Sequence, residues 1–449
     1  MRRHRAIPAL AVLVTMSACF EGGSNQNQRT PGNQDDGVGL RLGDIAVHPS
    51  GDYFLSSTGD GLFHGTIRTG ETRVLSGITN PQRLAFASGS ASVYVTTSRN
   101  GQAYINAYDV RTDSVSWKHP IEASHGWSLS GPQYYPTLKV TGDDRYLLLV
   151  YEDRIDRLDT RDGATRMTFF FDRNIVDVDL LEAHAKALVT MDHEWTGNQV
   201  STKVSFIDLE SGHKHTITVP NCSDEVAVTP DERFAFLAPT TCRRDPVSVI
   251  DLDRERWVGN LPGFGPVAVS PRGNMAIAFL DRDNIDADLF DDPEQIPSAS
   301  DVRYHVMFID TLTLEFETLA IGDTLPRYAL TPAGNLVLLD SASWYADGKL
   351  RLITTATKKI RTVSGPDVRL DQFVMTSDSL RVFLIDRGLY DLSLWAARVQ
   401  RVDLRFVPTN INITPDDEHL LLREDATTMW VFGIADQELV HSMRVPVSR

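Results

Sequence analysis

From about residue 38 onward, short apolar runs alternate with polar turns. Runs such as Val226-Ala227-Val228 and Phe234-Ala235-Phe236-Leu237 have the length of strands and are too short for helices. No stretch shows sustained helical periodicity with caps. One pattern recurs. An apolar strand ends in a Pro/Gly/Asp turn, and a second apolar strand follows. After a loop of variable length comes a third strand, often ending in Asp, then a polar turn and a fourth strand.

The first turns read His48-Pro49-Ser50-Gly51, Thr141-Gly142-Asp143-Asp144, Thr229-Pro230-Asp231-Glu232, Ser270-Pro271-Arg272-Gly273, Thr331-Pro332-Ala333-Gly334, Thr376-Ser377-Asp378-Ser379 and Thr414-Pro415-Asp416-Asp417. Degenerate copies sit near Ser88 and Glu182. The second turns follow Tyr108-Asp109, Leu158-Asp159, Ile207-Asp208, Ile250-Asp251 and Ile309-Asp310. This is hairpin chemistry: Pro presets φ, while Asp, Asn and Gly tolerate the tight positions.

We count nine such units, each about 45 residues long, a period typical of propeller blades. A four-stranded blade has two apolar faces that only neighbouring blades can cover, so the ring closes on itself. The expected fold is therefore all-β: a β-propeller of eight or nine four-stranded blades over 38–449. Unit eight, around Leu389 to Phe406, is hard to divide. The strand-like stretch Val38 to Leu42 is a candidate to complete the last blade. Two small propellers are the minor alternative, because no linker interrupts the repeats.

Tyr94-Val95-Thr96-Thr97, and the stretch from Val226 to Pro262 with Val249-Ile250-Asp251, resemble YVTN-type propeller repeats. The run Tyr108-Asp109-Val110-Arg111-Thr112-Asp113-Ser114-Val115-Ser116-Trp117 resembles the repeat of quinoprotein-type propellers. These motifs specify turns and blade packing, and the resemblance implies a fold rather than an activity.

The N-terminus reads differently. Met1-Arg2-Arg3-His4-Arg5 precedes an almost wholly apolar run from Ala6 to Met16, the plan of a secretory signal peptide. The run is too short to span a bilayer, which takes roughly 20 apolar residues. Met16-Ser17-Ala18-Cys19 resembles the bacterial lipobox. That resemblance implies acylation of Cys19, cleavage after residue 18 and a lipoprotein. Phe20 follows in place of the Asp that marks inner-membrane retention in some bacteria, so outer-membrane sorting is favoured. Residues 19–37 contain almost no apolar side chain beyond Cys19 and Phe20 and are expected to form a flexible tether from the lipidated cysteine.

Composition narrows the partners. The net charge is −16, and −19 without the three Arg of residues 1–18. Such a surface repels phosphate backbones and anionic headgroups, which argues against nucleic acid. Cys222 and Cys242 are an even pair in an oxidising compartment. The hairpin between them centres near residue 231 or 232. Antiparallel pairing then sets Cys222 opposite residue 241 or 242, which predicts a disulfide.

Propeller topology sorts the loops onto two faces. Connections between strands one and two, and three and four, lie on one face and are uniformly tight. The other face holds four insertions, at 124–135, 192–202, 282–302 and 341–349. Variable loops on a rigid scaffold are where binding usually resides. They carry His125, Trp127, Tyr134, Tyr135, His193, Trp195, Trp344 and Tyr345. Trp and Tyr bury much area with few rotors, which suits binding anchors, and they equally suit packing a loop onto its own blade.

The segment from Asp281 to Asp292 is dense in carboxylates. Asp281, Asp283, Asp286 and Asp288 are weak Ca²⁺ candidates. Ile285 stands at the third EF-hand ligand position and the turn Gly is missing, so a solvated acidic loop is the preferred reading. His213 and His215 read as surface residues. There is no Gly-x-Ser-x-Gly, His-Glu-x-x-His or Cys-x-x-Cys.

The expected function is thus a lipid-anchored, extracytoplasmic binding or scaffold module for an envelope protein or glycan, with no cofactor required. A more specific version resembles the lipoprotein propeller subunit of the outer-membrane β-barrel assembly machine, although those repeats are more regular. The alternative is a propeller enzyme, either a lactonase-like hydrolase or a quinone-dependent dehydrogenase, with a metal in the central channel.

Overall fold

The computed structural model describes residues 38–444 apart from 40–44, 58–60, 90, 100–101, 123, 126–132, 135, 198, 240–241, 243–244, 291–292, 294–295, 299–301, 341–349, 369–371 and 426. The expected signal, Cys19 and the expected tether lie outside the described residues.

Each repeat folds into one antiparallel four-stranded sheet, and there are nine. Blade 1 spans 45–79, blade 2 81–121, blade 3 137–170, blade 4 175–219, blade 5 225–261, blade 6 264–322, blade 7 327–362, blade 8 372–402 and blade 9 410–444. The ambiguous unit eight resolves into the strands Leu389–Ser393 and Arg398–Val402, which pair as the outer half of blade 8.

Burial follows strand position. Middle strands are covered on both faces by neighbouring blades, so apolar residues dominate them and even their polar ones are enclosed: every residue of Val247–Asp251 is buried, Ser248 and Asp251 included. Outer strands meet solvent and alternate: in Ser114–Ile121 only Ile121 is buried. The core is correspondingly divided among nine apolar clusters, each filled from two adjacent blades.

The polar turn residues have specific jobs. Thr414 Oγ1 accepts the N–H of His419 at 3.0 Å, and Thr376 Oγ1 that of Arg381 at 3.0 Å. At the second turn, Asp310 Oδ1 accepts the N–H groups of Leu312 and Thr313 at 2.8 and 3.0 Å. These bonds satisfy backbone donors that a tight turn leaves unpaired.

Among the described residues, no blade borrows a strand to close the ring: blades 1 and 9 are each built from four consecutive strands. Packing closes it instead. Ile45, Val47, Phe54 and Phe63 of blade 1 share a cluster with Leu421, Met429, Val431 and Met443 of blade 9. Asn412 Nδ2 donates to the Ile45 carbonyl at 3.0 Å, and Arg423 Nη1 donates to the buried Ser56 hydroxyl at 3.0 Å.

The strand-like start of the chain goes elsewhere than expected. Val38–Gly39 does not complete blade 9. It pairs antiparallel with Pro81–Phe86, the first strand of blade 2, in the register Val38↔Leu84 and Gly39↔Arg83. First strands of neighbouring blades adjoin one another around the centre of the ring, so the added strand lies on the channel side. Its partner edge was invisible to a linear pattern, because an inner edge next to the channel is offered by every blade. Pro81–Phe86 runs from the loop face toward the tight-turn face. The antiparallel Val38–Gly39 therefore runs the other way, with its N-terminal end toward the tight turns.

Candidate functional site

The loop insertions all leave from the face opposite the tight turns: 124–135 joins blades 2 and 3, while 192–202, 282–302 and 341–349 join strands two and three of blades 4, 6 and 7. Trp127, Tyr135, Trp344 and Tyr345 lie outside the described residues. His125 and Tyr134 fall on a two-stranded ladder, Ser124–His125 against Gln133–Tyr134.

Insertion 192–202 is the best defined. Gln199–Asp208 is the longest strand of blade 4, and its first residues fold back on Glu194–Thr196 as a hairpin, with Trp195 opposite Val200. That hairpin extends beyond the blade, so Trp195 has no neighbouring blade to pack against and is 62% exposed. The His193 ring meets it edge-on, with centroids 6.1 Å apart.

A recess of about 380 Å³ opens beside this hairpin, lined by Glu152, Asn174, Ile175, Val176, Asp192, His193 and Asp224. Its walls come from the connections of three consecutive blades. Glu152 lies between strands two and three of blade 3, Asn174 precedes the first strand of blade 4, and Asp224 precedes the first strand of blade 5. Backbone bonds fix this geometry: Ile175 N–H to the Glu152 carbonyl at 2.5 Å, and Asp192 N–H to the Asn174 carbonyl at 2.7 Å. Asp192 Oδ1 lies 3.2 Å from His193 Nδ1. Three carboxylates, one imidazole and a short apolar floor suit a polar or cationic group with an apolar body.

The disulfide adjoins the recess. Cys222 and Cys242 are joined, with Cα atoms 6.0 Å apart, tying the connection between blades 4 and 5 to the chain leaving the second strand of blade 5. Residue 238 pairs with Glu225, so the cysteines sit just past the end of the ladder, as the hairpin arithmetic requires.

The acidic segment uses its own carboxylates. Asp281 is buried and receives Arg303 through two bonds of 3.0 and 2.8 Å, Asn284 Nδ2 at 2.8 Å and the Asp283 N–H at 3.1 Å. Burial alone would raise its pKa, but these donors outweigh it and hold the carboxyl below its ordinary value. Asp286 caps the N–H of Asp288 at 3.1 Å. Among the described residues, no three of Asp281, Asp283, Asp286 and Asp288 converge as ligands. His213 and His215 are exposed near and on the outer strand of blade 4.

One residue escaped the sequence reading. Trp395 is 84% exposed, in the turn between the last two strands of blade 8 on the tight-turn face, and the half-exposed Leu380 occupies the adjoining first turn of the same blade. Its signal was the run Leu394-Trp395-Ala396-Ala397, which has no polar side chain in a turn.

Comparison with known proteins adds the fold and little else. No family profile and no curated protein matches the chain. Among solved structures, the Dos1 propeller aligns over 74% of this chain and 86% of its own, with 10% identity and a TM-score of 0.50. The β-propeller domain of Cps50 (Swd1) from Myceliophteria thermophila aligns over 70% and 93%, with 12% identity and a TM-score of 0.38. Hydrazine synthase of Kuenenia stuttgartiensis aligns over 72% and 100%, with 16% identity and a TM-score of 0.40. At 10% identity, the likeness to the Dos1 propeller supports a β-propeller fold alone.

Proposed function

We propose that the protein is a lipid-tethered binding module of the bacterial cell envelope, favouring the outer membrane, whose working surface is the loop face around the recess of blades 3 to 5. The YVTN-type character of its repeats belongs to the same reading. The carrying observation is the exposed Trp195 on a hairpin beside a three-blade recess. An indole left in water has an unrealised burial energy that a partner can recover. The partner class is another envelope protein or a glycan, recognised by an aromatic anchor together with the carboxylates of Glu152, Asp192 and Asp224.

Chain direction supports an orientation. The N-terminal end of Val38–Gly39 points toward the tight-turn face, so a tether continuing that way from Cys19 would hold this face near the bilayer. The loop face would then be presented outward. Trp395 and Leu380 project on the membrane-proximal side in this arrangement, where an amphipathic indole is at home.

Two experiments test the proposal. Cys19→Ser should move the protein from the membrane to the soluble fraction and abolish labelling by a clickable fatty acid; labelling equal to wild type rejects the anchor. Co-purification from detergent-solubilised membranes should return a partner with wild type and lose it with Trp195→Ala. Retention of every captured species by that variant rejects the recess as the working surface.

A further inference from the structure

His193, Cys222 and Cys242 bring one imidazole nitrogen and two sulfurs within 4.8 Å of one another. In the structure the sulfurs are bonded to each other, and a disulfide is a poor ligand where two thiolates are strong ones. The decisive question is whether the cysteines would stay together once that bond is broken.

Their surroundings hold them independently of it. The Cys222 N–H donates to the Asp245 carboxylate at 2.7 Å, and the Asp245 N–H donates to the Cys242 carbonyl at 2.9 Å. The next residue, Ser223, donates its N–H to buried Thr202 Oγ1 at 3.0 Å, and that hydroxyl donates to the Asn221 carbonyl at 2.8 Å. The Asn221 side-chain amide donates to Ser248 Oγ and Asn260 Oδ1, both at 2.8 Å. Asp224 is tied back into blade 5 through its N–H to the Ala238 carbonyl at 3.1 Å. Backbone on both sides of Cys222 is therefore anchored without the sulfur link.

The imidazole stands beside negative charge. The Asp192 carboxylate lies 3.2 Å from His193 Nδ1 and accepts the His193 backbone N–H at 2.9 Å. A carboxylate held this close to the ring favours a cation there.

We propose that the reduced protein binds a borderline divalent cation of the Zn²⁺ type through the Cys222 and Cys242 thiolates and the His193 imidazole, making the cysteine pair a redox-gated metal site at the rim of the recess. A dithiol reductant transfers its two hydrogens to the cysteine sulfurs as the Cys222–Cys242 bond breaks, and leaves as its own disulfide. The cation then replaces the two thiol protons, which go to solvent. Two sulfurs and one nitrogen occupy three of four tetrahedral positions, and the fourth goes to water or to a group entering the recess that His193 lines. Thiolate ligands select against Ca²⁺ and Mg²⁺. The inference does not depend on the binding reading above, since its test involves no partner.

The test uses the full chain carrying Cys19→Ser, so that only two thiols are present. The protein is reduced with dithiothreitol, freed of reductant under argon and titrated with Co²⁺. One Co²⁺ per chain should bind with thiolate-to-cobalt charge-transfer absorption, and Zn²⁺ should bleach the band. The unreduced protein should show no band. His193→Ala should weaken the ion by at least about 10-fold while keeping the band, and Cys222→Ser with Cys242→Ser should remove it. A reduced chain without the band overturns the proposal, as does a His193→Ala variant that binds Co²⁺ as tightly as its parent. Loss of the β-sheet circular dichroism on reduction would also overturn it, because the hydrogen-bonded frame would then not hold the cysteines by itself.

Discussion

His64 lies in the third strand of blade 1, 9% exposed, with its ring 5.0 Å from that of Tyr53. Burial, and then the positive charge of Arg73, push its pKa down from 6.5 to about 4. The unfolded chain thus takes up a proton near pH 6.5 that the folded chain refuses until about pH 4. Stability from this group is complete above the unfolded value and is lost as pH falls between the two. The expected loss is on the order of 1–3 kcal/mol. Chemical denaturation of wild type and His64→Gln at several pH values in this window checks it: the variant should show the shallower decline, and parallel curves would remove His64 from the account. Nothing in the sequence marked this histidine, because the burial comes from blade 2 closing over blade 1. By contrast, the turn threonines and aspartates were legible. Their partners, such as the Phe234 N–H on Thr229 Oγ1 at 3.1 Å, lie within the same hairpin, so local spacing carries the information.

At the scale of the turn, the αL residue does something that local spacing could not show. Asp144, Glu232, Ser379 and Asp417 adopt φ values of 56, 52, 59 and 59°, where blades 1, 6 and 7 use Gly51, Gly273 and Gly334. A side chain in this conformation costs about 1 kcal/mol relative to Gly. Each of these four reaches the preceding blade. Asp144 accepts the Ser88 and Gly89 N–H groups, both at 2.7 Å, and Glu232 accepts the Ala183 N–H at 3.0 Å. Ser379 accepts the Ala333 N–H at 2.7 Å, and Asp417 the Ser377 N–H at 2.6 Å. The strain is offset by a latch between blades. Asp144→Gly relieves the φ strain yet should lower stability by about 1 kcal/mol, since two charge-assisted bonds are lost at an exposed site. A thermal midpoint equal to or above wild type would show that the latch contributes nothing. The disulfide belongs to this scale too. Its sequence separation of 20 gives a loop-closure contribution of about 3 kcal/mol. Cys222→Ser with Cys242→Ser should lose about 2–4 kcal/mol in urea unfolding while keeping the native circular dichroism, because the Asp245 and Thr202 bonds persist. An unchanged midpoint would mean that the bond leaves the unfolded chain unconstrained.

For the whole molecule, one asymmetry organises the rest. Nine like blades generate two unlike faces, because the hydrogen-bonded latches run through the tight turns and leave the opposite connections free to lengthen. A count of eight or nine blades and the assignment of insertions to one face followed from turn spacing alone; the nine sheets settle the count. The recess did not, because Glu152, the Asn174–Asp192 pair and Asp224 come from three repeats that adjoin only after the ring forms. Val38–Gly39 was misplaced for the same reason. The final prediction separates the faces. If the loop face binds, Trp195→Ala should weaken the captured partner by about 2 kcal/mol or more, roughly 30-fold, as expected for a central aromatic anchor. Trp127→Ala and Trp344→Ala, on two other insertions, should weaken it too. Arg272→Ala and Asp416→Ala change exposed tight-turn residues on the other face and should bind as wild type. Trp395→Ala distinguishes partner binding from membrane proximity: it should leave partner affinity unchanged and reduce only the association of the tethered protein with vesicles. Loss of affinity in folded Arg272→Ala, Asp416→Ala or Trp395→Ala, with the three loop-face variants unaffected, would assign binding to the tight-turn face and reverse the orientation proposed for the tether.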